Sequence, residues 1–140
     1  MSKKNNLAIV IPYYKIDFFK ETLDSLANQT NKNFKVYIGN DASPNNPCAL
    51  LSKYTNDFDF EYFEFHENLG GKSLVNQWHR CIDLAQEEEW LMILCDDDTI
   101  SENYIEAFYN NIDEINNSKT AVIRYASQVI DGNNNSLSNV

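Results

Sequence analysis

The residues best suited to chemistry are Asp96, Asp97 and Asp98, three adjacent carboxylates that follow the apolar run Trp90-Leu91-Met92-Ile93-Leu94 and Cys95. Mutual repulsion makes such a cluster costly unless a cation neutralises it, and an oxygen-rich site suits Mg2+ or Mn2+ bridging to a substrate phosphate. Five apolar residues in a row are too few for a lone helix and predict a strand buried on both faces of a parallel sheet. Open α/β sheets bind ligands beyond the carboxyl ends of their strands, where these aspartates would stand. The plain alternative is a solvated acidic turn.

The elements that must position this cluster are legible along the chain. Leu7 to Ile11 reads as a buried first strand that Pro12 stops, leaving Tyr13, Tyr14 and Lys15 in the loop after it. Asp17 is placed to cap a helix from Phe18 to about Asn28, with Phe19, Leu23 and Leu26 on its apolar face. Phe34 to Ile38 predicts an interior second strand that delivers Asn40 and Asp41 to its end, and Pro47 opens a short helix reaching Tyr54. Phe58 to Phe65 predicts a third strand. A glycine-containing loop, His66 to Lys72, leads into a helix from Ser73 to about Gln86 whose Leu74, Trp78, Ile82 and Ala85 are expected to face the core. On that spacing Trp78 belongs to the core and His79 to the surface. Glu87, Glu88 and Glu89 read as a solvated connection. After the aspartates, Ser101 caps a helix carrying Ile105, Phe108, Ile112 and Ile115, and Thr120 to Ala126 predicts a last strand. Alternating strands and helices predict an α/β fold, a mostly parallel Rossmann-like sheet with helices on both faces.

Composition bounds the rest. One domain over residues 1–140 is expected, its core at about 6–126 and 127–140 a flexible tail or a truncation point. A net charge of −10 argues against a nucleic-acid or anionic-membrane surface, so phosphate binding has to be local and metal-assisted. Cys48, Cys81 and Cys95 show no CxxC spacing and form no metal pattern with His66 or His79, which reads as reduced, mostly buried thiols of a cytoplasmic protein. The polar start and the short apolar run after it predict neither a leader nor a membrane segment; attachment to the cytosolic face of a membrane would need partners or missing segments. Oligomeric state is not set by these features.

Together, Ile9-Val10-Ile11-Pro12-Tyr13-Tyr14, the stretches Thr22 to Thr30 and Asn33 to Ser43, Glu67-Asn68-Leu69-Gly70-Gly71-Lys72-Ser73 and Cys95-Asp96-Asp97-Asp98 resemble the nucleotide-sugar half of a family 2 glycosyltransferase of the GT-A fold. The resemblance spans about residues 6–126 in the family's order. It implies that Pro12 and Tyr13 flank the nucleobase, that Asp41 recognises it, commonly as uracil, and that Lys72 lies near base or diphosphate in a loop shaped by Asn68 and Gly70. It also implies that Asp96 to Asp98 are the DxD region, one carboxylate meeting the ribose (Asp96 or Asp97) and another the metal, with Asp98 the ligand in either register and Asp96 beside it in one. The implied reaction is inverting, metal-dependent transfer, with Mn2+ or Mg2+, of a hexosyl group from a nucleotide-diphosphate sugar, a UDP-sugar first, to a saccharide or other acceptor. The base that reaction needs is expected beyond Val140, so the chain reads as a fragment lacking the acceptor half. The rivals are a non-catalytic nucleotide-sugar-binding module, a haloacid-dehalogenase-like phosphatase, whose motif fails at Ile100, and a receiver domain, which wants acidic residues where Pro12 and Tyr13 stand.

Overall fold

A computed structural model describes residues 6–140; the opening Met1 to Asn5, on which the expectation of no leader partly rests, lies outside the described residues. The elements run β1 (Leu7–Tyr13), α1 (Phe19–Ala27), β2 (Lys35–Asn40), α2 (Cys48–Leu51) continued by a 3-10 turn (Ser52–Tyr54), β3 (Asp59–Glu64), α3 (Leu74–Ile82), β4 (Trp90–Ile93), α4 (Tyr104–Asn110) and α5 (Ile112–Asn117). The strands pair in the order β3-β2-β1-β4, all of them parallel. The α/β class expected from the alternation is therefore the class observed.

Period-two alternation explains how β1 and β2 bury both faces. Ala8, Val10 and Tyr37 form one cluster with Cys81 of α3. The other face carries Tyr13, whose ring lies 4.6 Å from that of Phe19 on α1. Phe19, Leu23 and Leu26 of α1 are all fully buried, as their spacing predicts. Asp17 does not cap α1, however; the N-cap is Phe18, with no side-chain hydrogen bond.

Pro12 does not stop β1, which runs on to Tyr13 in register with Asn40. Residues of one parity face one neighbouring strand, and Val10 accepts the amide of Leu94 on the β4 side while Tyr13 accepts the amide of Asp41 on the β2 side. Pro12 shares the parity of Val10, so its missing N–H faces the side where β4 has already ended at Ile93.

Other expectations are corrected. β4 is not interior: among the described residues it pairs with β1 alone and forms a sheet edge, with Leu91 40% exposed. A run of apolar residues records a tendency to be buried, not how many strands flank it. On α3 the buried residues are Gln77 and Cys81, while Leu74 is 56% exposed and Trp78 and Ile82 are half-buried. The helix turns this face inward because Gly39 lets it approach β2 closely; a Cβ there would stand 2.5 Å from Cys81 Sγ. Glu88 is not simply solvated, since it accepts the hydroxyl of Tyr37 at 2.8 Å. Of the thiols Cys81 is buried, Cys95 half-buried and Cys48 exposed, so they are not mostly buried; all three are free.

The chain divides into two compact units, Met1–Glu106 and Ala107–Val140. In the first, Gln29 at the end of α1 donates to Ser101 O and accepts the amide of Ile105, meeting the start of α4 where a Ser101 cap was expected; Ser101 Oγ donates to Asn103 instead. In the second, the expected single helix breaks at Asn111, whose side chain donates back to Ala107 O at 2.7 Å. The strand expected over Thr120 to Ala126 is not formed; the residues have no regular structure, and the bridge described in this unit joins Ile130 and Ser136. Among the described residues no helix is long and apolar enough to cross a membrane.

Candidate functional site

Strand order reverses between β1 and β4, and at such a switch point the loops after the strands part to leave a crevice. A cleft of about 400 Å³ opens there. Its lining comes from the end of β1 and the loop after it (Pro12, Tyr13, Tyr14, Lys15), from Asp41 after β2, from Leu74, Gln77 and Trp78 on α3, and from Cys95, Asp96 and Asp97 after β4. Three polar clusters far apart in sequence thus meet at one sheet edge.

Asp41 is nearly buried and surrounded by donors. Its Oδ1 accepts the amide of Leu69 at 2.7 Å and Arg80 Nη2 at 2.5 Å; its Oδ2 accepts the amide of Gly70 at 2.9 Å and Asn68 Nδ2 at 3.1 Å. Gly70 is required by this packing, because a Cβ would lie 2.6 Å from Asp41 Oδ2. The next residue, Ala42, has φ 54, a left-handed turn for a non-glycine residue. That turn is held by Ser43, whose amide donates to Asn40 Oδ1 and whose hydroxyl donates to Tyr14 O.

Asp96 is turned toward β1. Its Oδ2 accepts the backbone amides of Tyr14 and Lys15, each at 2.7 Å, and so holds the loop after β1 at the rim of the cleft. Burial raises its carboxyl above the ordinary range, the two amides offsetting part of that. Ligand atoms of Cys95, Asp97 and Asp98 approach within 4.8 Å of one another; Asp96 is not in that group. Burial, then the negative field of Asp98, Asp97 and Asp96, pushes the Cys95 thiol up to about 11. Burial and the neighbouring Asp97 raise Asp98 as well. A thiol is a soft donor and a poor partner for a hard cation, so Asp97 and Asp98 are the donors of this group that would fit Mg2+ or Mn2+, which bind through one or two carboxylates plus substrate phosphates.

Of the residues singled out in the sequence, Pro12, Tyr13, Asp41, Asp96 and Asp97 line the cleft, and Asp98 stands beside it in the Cys95 group. Tyr13 is fully buried, its hydroxyl donating to Asn45 O, so its side chain supports the loop. Asn68 and Gly70 sit behind Asp41. Lys72 is exposed, 4.0 Å from Glu67, and outside the lining. Trp78, expected in the core, borders the cleft with Leu74 and Gln77. Arg80 joins the site without a signal in the sequence, because its position three residues after Gln77 points to Asp41 only once the structure shows Gln77 buried.

A parallel α/β sheet with its cleft at the strand-order reversal defines the open α/β class, which binds its ligands beyond the carboxyl ends of the strands. The sequence narrows this: the glycosyl transferase family 2 matches over residues 8–139, and the chain belongs to that family. Structural likeness agrees in fold. Staphylococcus aureus TarS, residues 1–349, in complex with UDP-GlcNAc is 24% identical with a TM-score of 0.70, covering 79% of this chain and 32% of that one. The same protein with UDP gives the same identity and TM-score, with 33% of its chain covered, and a further structure of TarS has 20% covered. This chain therefore spans about a third or less of the solved chains it resembles. No curated protein matches it.

Proposed function

We propose that this chain binds a nucleotide-diphosphate sugar, a UDP-sugar first, and forms the donor-binding part of a metal-dependent inverting glycosyltransferase that serves a saccharide or other acceptor. The observation that carries the reading is the convergence of Pro12 to Lys15, Asp41 and Asp96 to Asp97 on one cleft in a member of family 2. That the TarS structures contain UDP and UDP-GlcNAc supports uridine as the base.

On this reading Asp41 and the loop behind it meet the base, Leu74 and Trp78 supply an apolar wall, and Asp96 orders the amides of Tyr14 and Lys15. A divalent cation held by Asp97 and Asp98 would neutralise the diphosphate leaving group. The attacking hydroxyl also needs a general base. Neither Asp41 nor Asp96 is assigned that role, because hydrogen bonds to the protein already engage both.

Calorimetric titration of UDP in Mn2+ and in chelator tests the proposal. Affinity should fall at least about tenfold in chelator, because the uncompensated carboxylates of Asp97 and Asp98 repel the diphosphate. Asp98→Asn should lose most of the metal-dependent gain while the fold persists. Equal affinity in both buffers removes the metal from the reading, and no binding in either removes the nucleotide.

A further inference from the structure

Asp41 is held from behind by a side chain outside the cleft lining. Arg80 Nη2 donates to Asp41 Oδ1 and, at 2.8 Å, to Glu67 O, while Nε donates to Gln77 Oε1. Its guanidinium lies 3.9 Å over the ring of Phe65. The pair is largely sequestered, with side chains 20% and 5% exposed for Arg80 and Asp41. Stacking and a directed fork at once are what a planar guanidinium provides and an ammonium does not.

A carboxylate offers about four lone-pair sites, and four protein donors occupy those of Asp41. A base N–H can therefore reach it only by exchange. The donor most readily exchanged is Asn68 Nδ2, which is neutral and makes the longest of the four bonds at 3.1 Å. The remaining three donors would keep the carboxylate aimed during that exchange, and Arg80 is the one that carries charge.

We infer that Arg80 is a positioning residue which, acting through Asp41, sets the preference of the cleft for uracil. The inference rests on the nucleotide reading above. Uracil presents an N3–H that the Asp41 carboxylate can accept, whereas cytosine presents a lone pair at the same place, which the carboxylate repels. An Asp41 that has lost the Arg80 bond to Oδ1 is free to turn, and once turned it no longer separates the two bases.

The test is titration of UDP and of CDP, in Mn2+, into the wild-type chain, Arg80→Met and Arg80→Lys, with amide NMR spectra of each. The wild type should prefer UDP by at least about tenfold, as expected when a site built for one hydrogen-bond pattern meets its reverse. Arg80→Met should bring the two affinities within about twofold of each other and shift the Leu69 and Gly70 amides upfield as their bonds to Asp41 lengthen. Arg80→Lys should restore part of the preference. A merely structural role would weaken both nucleotides alike and leave their ratio unchanged, which overturns the inference, as does a wild type with no preference. If Arg80→Met does not fold, the ratio in Arg80→Lys decides in the same way: a fall supports the inference and an unchanged ratio overturns it. Failure of the wild type to bind either nucleotide overturns the nucleotide reading itself, an outcome distinct from binding with an unaltered ratio.

Discussion

The Tyr37 hydroxyl, deep against α3, donates to Glu88 and so pins the acidic turn that precedes β4. Burial, then the hydrogen bond and charge of Glu88, pushes Tyr37 up to about 12. Burial opposes ionisation of Glu88, but the Tyr37 hydroxyl and nearby amides outweigh it and hold the carboxyl below its ordinary value. The two shifts bound a pH window. Tyr37, raised in the folded state, contributes stability that is whole below the unfolded tyrosine value near 10 and is lost as pH rises toward 12. Glu88, depressed in the folded state, contributes above its unfolded value of about 4.5, and that contribution is lost as pH falls through the folded value. Tyr37→Phe should therefore cost about 1 kcal/mol at neutral pH and flatten both limbs of the stability profile. Denaturant melts from pH 3 to 11 check this; limbs of unchanged slope would place the titrating groups elsewhere. Three consecutive glutamates could be read as solvent-facing, but which of them a tyrosine 51 residues upstream would reach could not.

The packing of α3 on β2 turns on one missing side chain. A Cβ on Gly39 would meet Cys81 Sγ at 2.5 Å and Phe65 at 3.0 Å. Gly39→Ala should destabilise by about 1–3 kcal/mol through overpacking, and part of that cost should disappear in a Cys81→Ala background, where the nearer atom is gone. Additive costs in the double-mutant cycle would show that α3 moves aside freely. The same contact explains why the face of α3 was misread. Leu74, Trp78 and Ile82 do keep helical spacing, yet Gln77 and Cys81 lie on the adjoining stripe, and the close approach at Gly39 selects the stripe that is narrow enough. Leu74 and Trp78 are thereby released to border the cleft. For β4 the apolar run correctly announced a strand, while its place at the edge follows from pairing with β1 alone among the described residues.

Burial is unevenly shared across the molecule. β1 and β2 are buried along nearly their whole length, whereas α5 has no buried residue and Val122 is 82% exposed. Native-state hydrogen exchange should find amides of residues 120–140 exchanging roughly a hundredfold or more faster than those of β1 and β2, because protection follows packed apolar contacts. Comparable protection in the two would contradict this. What the sequence determined by itself was what short-range pattern encodes: the alternation of strand and helix, hence the parallel sheet, and the placing of Tyr14, Asp41 and Asp96 after strands, hence their meeting at one edge. Tertiary structure alone decided the stripe of α3 that faces the sheet, the neighbour count of β4, the turning of Asp96 onto the amides of Tyr14 and Lys15, and the clasp of Arg80 on Asp41. Each of these depends on contacts between residues 39 to 83 positions apart, and a pattern with a period of two or 3.6 residues carries no information about which partner stands across such a gap.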